Sequence, residues 1–170
     1  MNLFSERLRY RKLAAEDFTV YLEMAMNAEV MKYITGKALT IREATERFKL
    51  MADTNSQSSS AGFYMVFEKN NRRFIGLGKF GLINDNTAEI GYSLLPQYWG
   101  KRYASEIAGF FITYASTLPS IENLLAIVNP DNIASKKLLS RYGFSWLETG
   151  FVNELPAEIH RLDLQNKKQF

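Results

Sequence analysis

Gln97-Tyr98-Trp99-Gly100-Lys101-Arg102-Tyr103-Ala104 follows an apolar stretch ending in Leu94-Leu95-Pro96 and leads at once into a run with helical spacing. Such a turn, where a strand ends and a helix begins, aims several backbone N–H groups at one point, and the helix dipole adds partial positive charge. Its chemistry would be binding of an anion such as a phosphate, with Lys101 and Arg102 adding formal charge. An ordinary strand–helix connection, with Gly100 relieving backbone strain, would use the same residues. Gly76-Leu77-Gly78-Lys79-Phe80-Gly81 matches the dinucleotide pattern G-x-G-x-x-G letter for letter. That pattern binds a pyrophosphate only at a strand-to-helix junction. Here the glycines lie inside a strand-like run that ends in a turn, so they read as places where a neighbouring element approaches closely.

Composition narrows what else the chain can do. Its 170 residues predict a single domain spanning 1–170, and 46% hydrophobic with 14% aromatic residues is ample for one core. The absence of cysteine removes disulfides, thiolate metal sites and cysteine nucleophiles. The lone histidine, His160, leaves no His-rich cluster and argues against a Ser-His-Asp triad; it reads as a strand or surface residue, and no metal is expected. Lys and Arg number 21 against 18 acids, a net charge of +3, and the signs are interspersed. This balance slightly favours acidic ligands and predicts no direct nucleic-acid binding. No run approaches the roughly 20 apolar residues of a membrane span. The start, Met1-Asn2-Leu3-Phe4-Ser5-Glu6-Arg7, becomes charged too early for a signal peptide. A cytoplasmic protein without membrane contact is the expectation.

The elements that must position these residues follow from periodicity. Residues 7–13 alternate as a strand, and Glu16 and Asp17 suit the first turn of a helix over 18–31. Thr40-Ile41-Arg42-Glu43 is a capping box for a second helix reaching about Met51, with a Ser-rich loop at 53–62. Strands at 63–68, 74–80 and 87–95, separated by Asn70-Asn71 and Asp85-Asn86, predict an antiparallel meander. A helix over 103–116 presents Ile107, Ala108, Phe111 and Ala115 on one face. Residues 124–128 read as a strand buried on both faces, 132–142 as a helix stopped by Gly143, and 144–147 and 160–164 as the last strands. The order β-α-α-β-β-β-α-β-α-β-β predicts an α/β chain (α+β, one mixed sheet) with helices on both faces.

Within that frame, Ala88-Glu89-Ile90-Gly91-Tyr92-Ser93-Leu94, Tyr98-Trp99-Gly100-Lys101 and Tyr103-Ala104-Ser105-Glu106 resemble the central block of the GNAT acetyltransferases. The likeness is greatest to the branch that acetylates N-termini of ribosomal proteins. Asn129-Pro130-Asp131-Asn132, Ser135 and Tyr142-Gly143-Phe144 resemble the family's second cofactor block, and residues 6–13 with Asp17 its first strand and helix start. The resemblance covers nearly the whole chain. It implies the GNAT acyl-CoA N-acyltransferase fold and acetyl-CoA as co-substrate, held by Leu94, Leu95, Gln97, Trp99, Gly100, Lys101, Arg102, Tyr103, Ala104 and Asn132. It implies a primary amine as acceptor, with a protein or peptide N-terminus leading. The alternatives are a small amine (polyamine, amino acid or drug) and a CoA-binding module without catalysis. The chain would act as a monomer or homodimer.

The resemblance also distributes roles. Glu89 is the candidate base, acting through a water, or else a structural strand residue. The N–H groups of Leu94 and Leu95 would hold the acetyl carbonyl and the pantetheine arm. Ser135 would donate to the departing sulfur, or bond a helix carbonyl instead. Asn132 is both a cofactor contact and a helix N-cap. Two departures stand out. Arg102 occupies a position where the family's pyrophosphate loop has Gly or Ala, and either clamps the phosphates or blocks them. Leu139 falls where many members carry a tyrosine acid, while Tyr142 reads as packing. Trp99 and Trp146 read mainly as packing residues. The acceptor would be read by the first two helices, by Tyr33-Ile34-Thr35-Gly36 and by residues 150–158.

Overall fold

Alternation around Leu8 and Tyr10 produces the first long strand, β2 (Leu8–Lys12), which buries both side chains; a two-residue strand, β1 (Leu3–Phe4), pairs with it. The computed structural model describes residues 3–165, so the first two residues of the charged start lie outside the described residues. The meander expected next is present as β3 (Gly62–Glu68), β4 (Phe74–Leu82) and β5 (Thr87–Leu94), all antiparallel neighbours. β6 (Asn123–Val128) runs parallel to β5, and β7 (Ser145–Val152) and β8 (Leu155–Asp163) form a hairpin whose second strand pairs with β6. One eight-stranded sheet results, in the order β1-β2-β3-β4-β5-β6-β8-β7. This is the mixed α/β fold with the GNAT element order.

Helices cover both faces. α1 (Phe18–Ala25), α2 (Ala28–Met31) and α3 (Ile41–Ser56) pack Tyr21, Met24, Met31, Phe48 and Met51 on one side. α4 (Tyr103–Ser116) and α5 (Ile133–Arg141) pack Ile107, Phe111 and Leu139 on the other. The capping box forms as expected: Glu43 N–H donates to Thr40 Oγ1 and the Glu43 carboxylate accepts from Thr40 N–H. The dinucleotide-like glycines are a packing surface. A Cβ on Gly78 would lie 2.6 Å from the Phe111 ring of α4, and one on Gly76 would lie 2.1 Å from the Ser93 carbonyl oxygen.

Several expectations change. The helix over 18–31 is two helices, because Asn27 leaves helical geometry (ψ 115°) and its side chain accepts from the N–H groups of Glu29 and Val30, starting α2 afresh. α3 runs to Ser56, well beyond Met51, so the Ser-rich loop shortens. β6 is not buried on both faces: Leu124, Ala126 and Val128 are buried whereas Ile127 is 39% exposed. The last two strands are much longer than read. Their turn places Asn153 (φ 49°) and Glu154 (φ 65°) in left-handed conformations, a hairpin turn without the glycine that usually announces it. Trp146 does not pack inside; it lies 61% exposed on β7.

Candidate active site

The parallel pairing of β5 with β6 lasts only from Thr87–Asn123 to Glu89–Leu125. Beyond Glu89, β5 continues to Leu94 while β6 stays paired with β8 alone, and a gap opens between β5 and β6. Strand alternation decides which groups face it. Leu95 N–H donates to the Ile75 carbonyl (3.0 Å), so the Leu94–Gly76 and Tyr92–Gly78 pairs are the non-hydrogen-bonded ones. The N–H and C=O of Tyr92 and Leu94 therefore point away from β4, into the gap. The Leu94 carbonyl accepts from Trp99 Nε1 (2.9 Å), which leaves its N–H facing the opening. The Leu95 N–H, expected to face the gap, belongs to the β4 ladder instead, whereas the Tyr92 N–H does face it, as only the register shows.

A cleft of about 500 Å³ enters this gap from the α4–α5 side, lined by Tyr92, Ser93, Leu94, Trp99, Gly100, Arg102, Tyr103, Ala104, Ser105, Asn132 and Ser135. Gly100 (φ 73°) and Arg102 (φ 64°) both adopt left-handed backbone, which bends the chain sharply before α4. The first intrahelical bond of α4 runs from Glu106 N–H to the Arg102 carbonyl, and no side chain caps the helix. The N–H groups of Tyr103, Ala104 and Ser105 thus lack helical partners, as at any open helix start. A Cβ on Gly100 would find nothing within 4 Å, so the turn borders open space. Arg102, Lys137 and Arg141 face the cleft against one acid, Glu29. Among the residues expected at the cofactor, Gln97, Lys101 and Leu95 do not line it. Lys101 turns its ammonium over the Tyr98 ring (5.6 Å), and its carbonyl accepts from Arg7 Nη1 (3.1 Å). Tyr103 contributes backbone, because its hydroxyl is bound to Glu68 and its ring lies under the Arg7 guanidinium (4.4 Å). Glu106 fixes this turn from behind, accepting from Ser5 Oγ, Arg7 N–H and Arg7 Nε at 2.5–2.7 Å.

A second cleft, of about 380 Å³, reaches the gap from the α1–α3 side and ends against the β7–β8 turn at Val152, Asn153 and Leu155. The two clefts share Tyr33, Ile34, Tyr92 and Ser93. Glu89 lines the second cleft, ion-paired with Lys79 at 2.6 Å, and Ser135 lines the first. Beside Ser135, on the α4–α5 side, the Tyr92 hydroxyl is buried and makes no aligned hydrogen bond among the described residues. Burial pushes its pKa up, and Ser135 alongside pulls it the other way. Sequence reasoning did not single out Tyr92; only the register and the packing of α5 bring it beside Ser135. Asn132 caps α5, accepting from Ser135 N–H at 3.1 Å. Leu139 is buried in the core, and the Tyr142 hydroxyl donates to the Ser105 carbonyl (2.7 Å), so neither presents a proton donor to the gap. His160 is a buried strand residue bonded to Glu158 (3.0 Å). Among the described residues, no cluster of His, Cys, Asp and Glu is arranged to hold a metal, and no helix is long and apolar enough to cross a membrane.

Comparison with known proteins agrees with this geometry. Residues 7–145 match the family model described as an acetyltransferase (GNAT) domain. The chain is 32% identical over 145 residues to uncharacterized N-acetyltransferase p20 of Bacillus licheniformis, covering 84% of this chain and 81% of that protein. Spermidine N-acetyltransferase from Vibrio cholerae, solved in complex with CoA and spermine, superposes with a TM-score of 0.76 at 18% identity over 94% of this chain and 96% of that one. Ribosomal-protein-S5-alanine acetyltransferase from Vibrio fischeri gives 0.75 at 16% identity over 98% of each chain. At these identities the two solved structures share the fold alone.

Proposed function

The chain belongs to the GNAT acetyltransferases, as an acetyl-CoA-dependent N-acetyltransferase, and from that premise we propose that its acceptor is a primary α-amine, foremost the N-terminus of a protein or peptide. The observation that carries this reading is the meeting of two clefts at Tyr92 and Ser93, with Glu89 on one side and Ser135 on the other. Acetyl-CoA supplies the acetyl group as a thioester. The open start of α4, with Arg102, Lys137 and Arg141, suits its phosphates. The Tyr92 N–H is the donor for the acetyl oxygen, where negative charge develops during attack, and the Leu94 N–H, two residues further along the strand towards the phosphate turn, pairs with the pantetheine arm.

The remaining work is proton movement. Attack needs the neutral amine, and Glu89 accepts its proton through a water while the new N–C bond forms and the C–S bond breaks. The Ser135 hydroxyl, with the neutral Tyr92 hydroxyl beside it, donates a hydrogen bond to the departing sulfur, which leaves as the thiolate and takes up, through water, the proton released by the amine. A carboxylate already paired with Lys79 suits an acceptor that is partly deprotonated at neutral pH. An α-amine, with a pKa of about 7.7–8.0, meets this condition; a lysine or polyamine amine near 10.4 does not. The acceptor cleft also carries Arg47 and Lys79 against the single acid Glu89, which disfavours a polycation. Its 380 Å³ admits the terminal residue or two of a peptide.

An acetylation screen of peptides and small amines, read by mass, tests the assignment. Single acetylation at peptide α-amines is the expected result; acetylation confined to lysine side chains or polyamines would refute it. Glu89→Gln should lose roughly 100-fold in rate at pH 7 with acetyl-CoA affinity intact, and recover much of it at high pH.

A further inference from the structure

We infer that the acceptor carries a carboxylate close to its amine, and that Arg47 is the residue that reads it; this rests on the α-amine reading above. The charged side chains lining the acceptor cleft are Arg47, Lys79 and Glu89. Lys79 and Glu89 neutralise each other at 2.6 Å. Arg47 has no carboxylate within ion-pair distance among the described residues. Glu43, one turn earlier on α3, is bound to Lys37 (2.9 Å) and to the Thr40 cap. Beside Arg47, from α1, stands Tyr21, which is 2% exposed and whose buried hydroxyl has no aligned hydrogen bond among the described residues. Arg47 is near enough to draw the pKa of this hydroxyl down against the upward pull of burial.

Two helices thus bring a guanidinium fork and a hydroxyl side by side to one wall of the acceptor cleft, and among the described residues neither has a carboxylate partner. A buried donor left without a partner is unfavourable. A carboxylate answers both, since its two oxygens match the planar fork and retain lone pairs for the hydroxyl. The neighbouring wall is apolar, with Met24, Met51 and Leu155, and suits an aliphatic side chain on the same molecule. A ligand bearing a second ammonium would meet Arg47 with no acid left over. The carboxylate has two possible sources: the α-carboxyl of a free amino acid, or an acidic side chain at the second position of a peptide.

Calorimetry on the protein saturated with CoA distinguishes them, with acetylated products as probes. One pair is N-acetyl-leucine and N-acetyl-leucinamide; the other is N-acetyl-seryl-aspartate amide and its asparagine counterpart. The carboxylate-bearing member of at least one pair should bind 10-fold or more tighter, and that pair names the source. Arg47→Gln should abolish the preference while CoA affinity and melting temperature stay near wild type, and Arg47→Lys should restore part of it. Equal binding within both pairs by the wild-type protein overturns the inference, as does an Arg47→Gln loss that falls equally on both members. These are binding measurements, so they stand apart from turnover. A chain that acetylates no α-amine yet keeps the carboxylate preference would refute the proposed acceptor and leave the Arg47 site standing.

Discussion

The two clefts that meet at β5 are built in opposite ways. The cofactor side is made chiefly from consecutive chain, the end of β5, the turn at Gly100–Arg102 and the start of α4, completed by one face of α5. The acceptor side draws on α1, α3, β3, β4, β5 and the β7–β8 turn, with no two neighbouring elements supplying most of it. The first relies on backbone N–H groups and a helix start, which few side-chain changes can remove. The second relies on single side chains, Glu89, Arg47 and Tyr21, so its specificity is open to point substitution. A fold can thus keep one ligand and exchange the other.

The sharpest way to break this contrast is Gly100→Glu. The left-handed backbone and a carboxylate facing the phosphates both oppose binding, and like charges in contact cost several kcal/mol. Acetyl-CoA affinity should fall by roughly 100-fold or more, and the rise in melting temperature on adding acetyl-CoA should vanish. An unchanged thermal shift would move the phosphate site elsewhere.

Next in size is the hydrogen-bond donor to sulfur. Ser135→Ala with Tyr92→Phe should slow turnover roughly 10-fold, the modest figure reflecting a thiol pKa near 8.5 that leaves readily without much help. Either single variant should do less, because one hydroxyl remains. Rapid-mixing kinetics of the chemical step would show this, and a double variant at wild-type speed would reduce both residues to packing.

Arg102→Gly should act with opposite signs on affinity and stability. Removing the guanidinium from the cleft mouth should weaken acetyl-CoA roughly 10-fold and flatten the salt dependence of binding. Relief of a left-handed non-glycine residue should stabilise the free protein by about 0.5–1 kcal/mol. Tighter binding by this variant would mean that Arg102 obstructs the phosphates.

The smallest effect concerns pH. In the folded chain burial raises the Glu106 pKa, but Ser5 and Arg7 outweigh it and leave the value below 4.5. A depressed carboxylate pKa stabilises the fold above its unfolded value, and this contribution is lost as pH falls through the folded one. Melting curves of Glu106→Gln should therefore lie below wild type at pH 7 and converge with it as pH falls below the unfolded carboxylate value and through the depressed folded one. A gap that persists in acid would assign the loss to packing.

Legibility followed the same division. Thr40 and Glu43, Gly100 before a helix, and the apolar face of α4 are local signals, and each was readable because caps, turns and helical faces depend on residues a few positions apart. The misreadings were also local in form but decided at a distance. Asn27 breaks a helix whose apolar spacing continues unbroken through it, and Asn153-Glu154 turns without glycine because two long strands hold it. Leu95 looked equivalent to Leu94 until the register with Ile75 separated them.

By itself, the sequence determined most of the order of the elements, the strand–turn–helix suited to an anion, and the placement of Glu89 on a central strand and Ser135 on the helix that became α5. These rest on short-range periodicity and on backbone groups any suitable turn exposes. Only the tertiary structure decided that β5 and β6 part after Glu89, that Tyr92 rather than Leu95 turns its N–H into the gap, and that Tyr21 and Arg47 meet in the acceptor cleft. The reason is physical: strand parity and the packing of helices on opposite faces relate residues far apart in the chain, and no local spacing encodes which of them will touch.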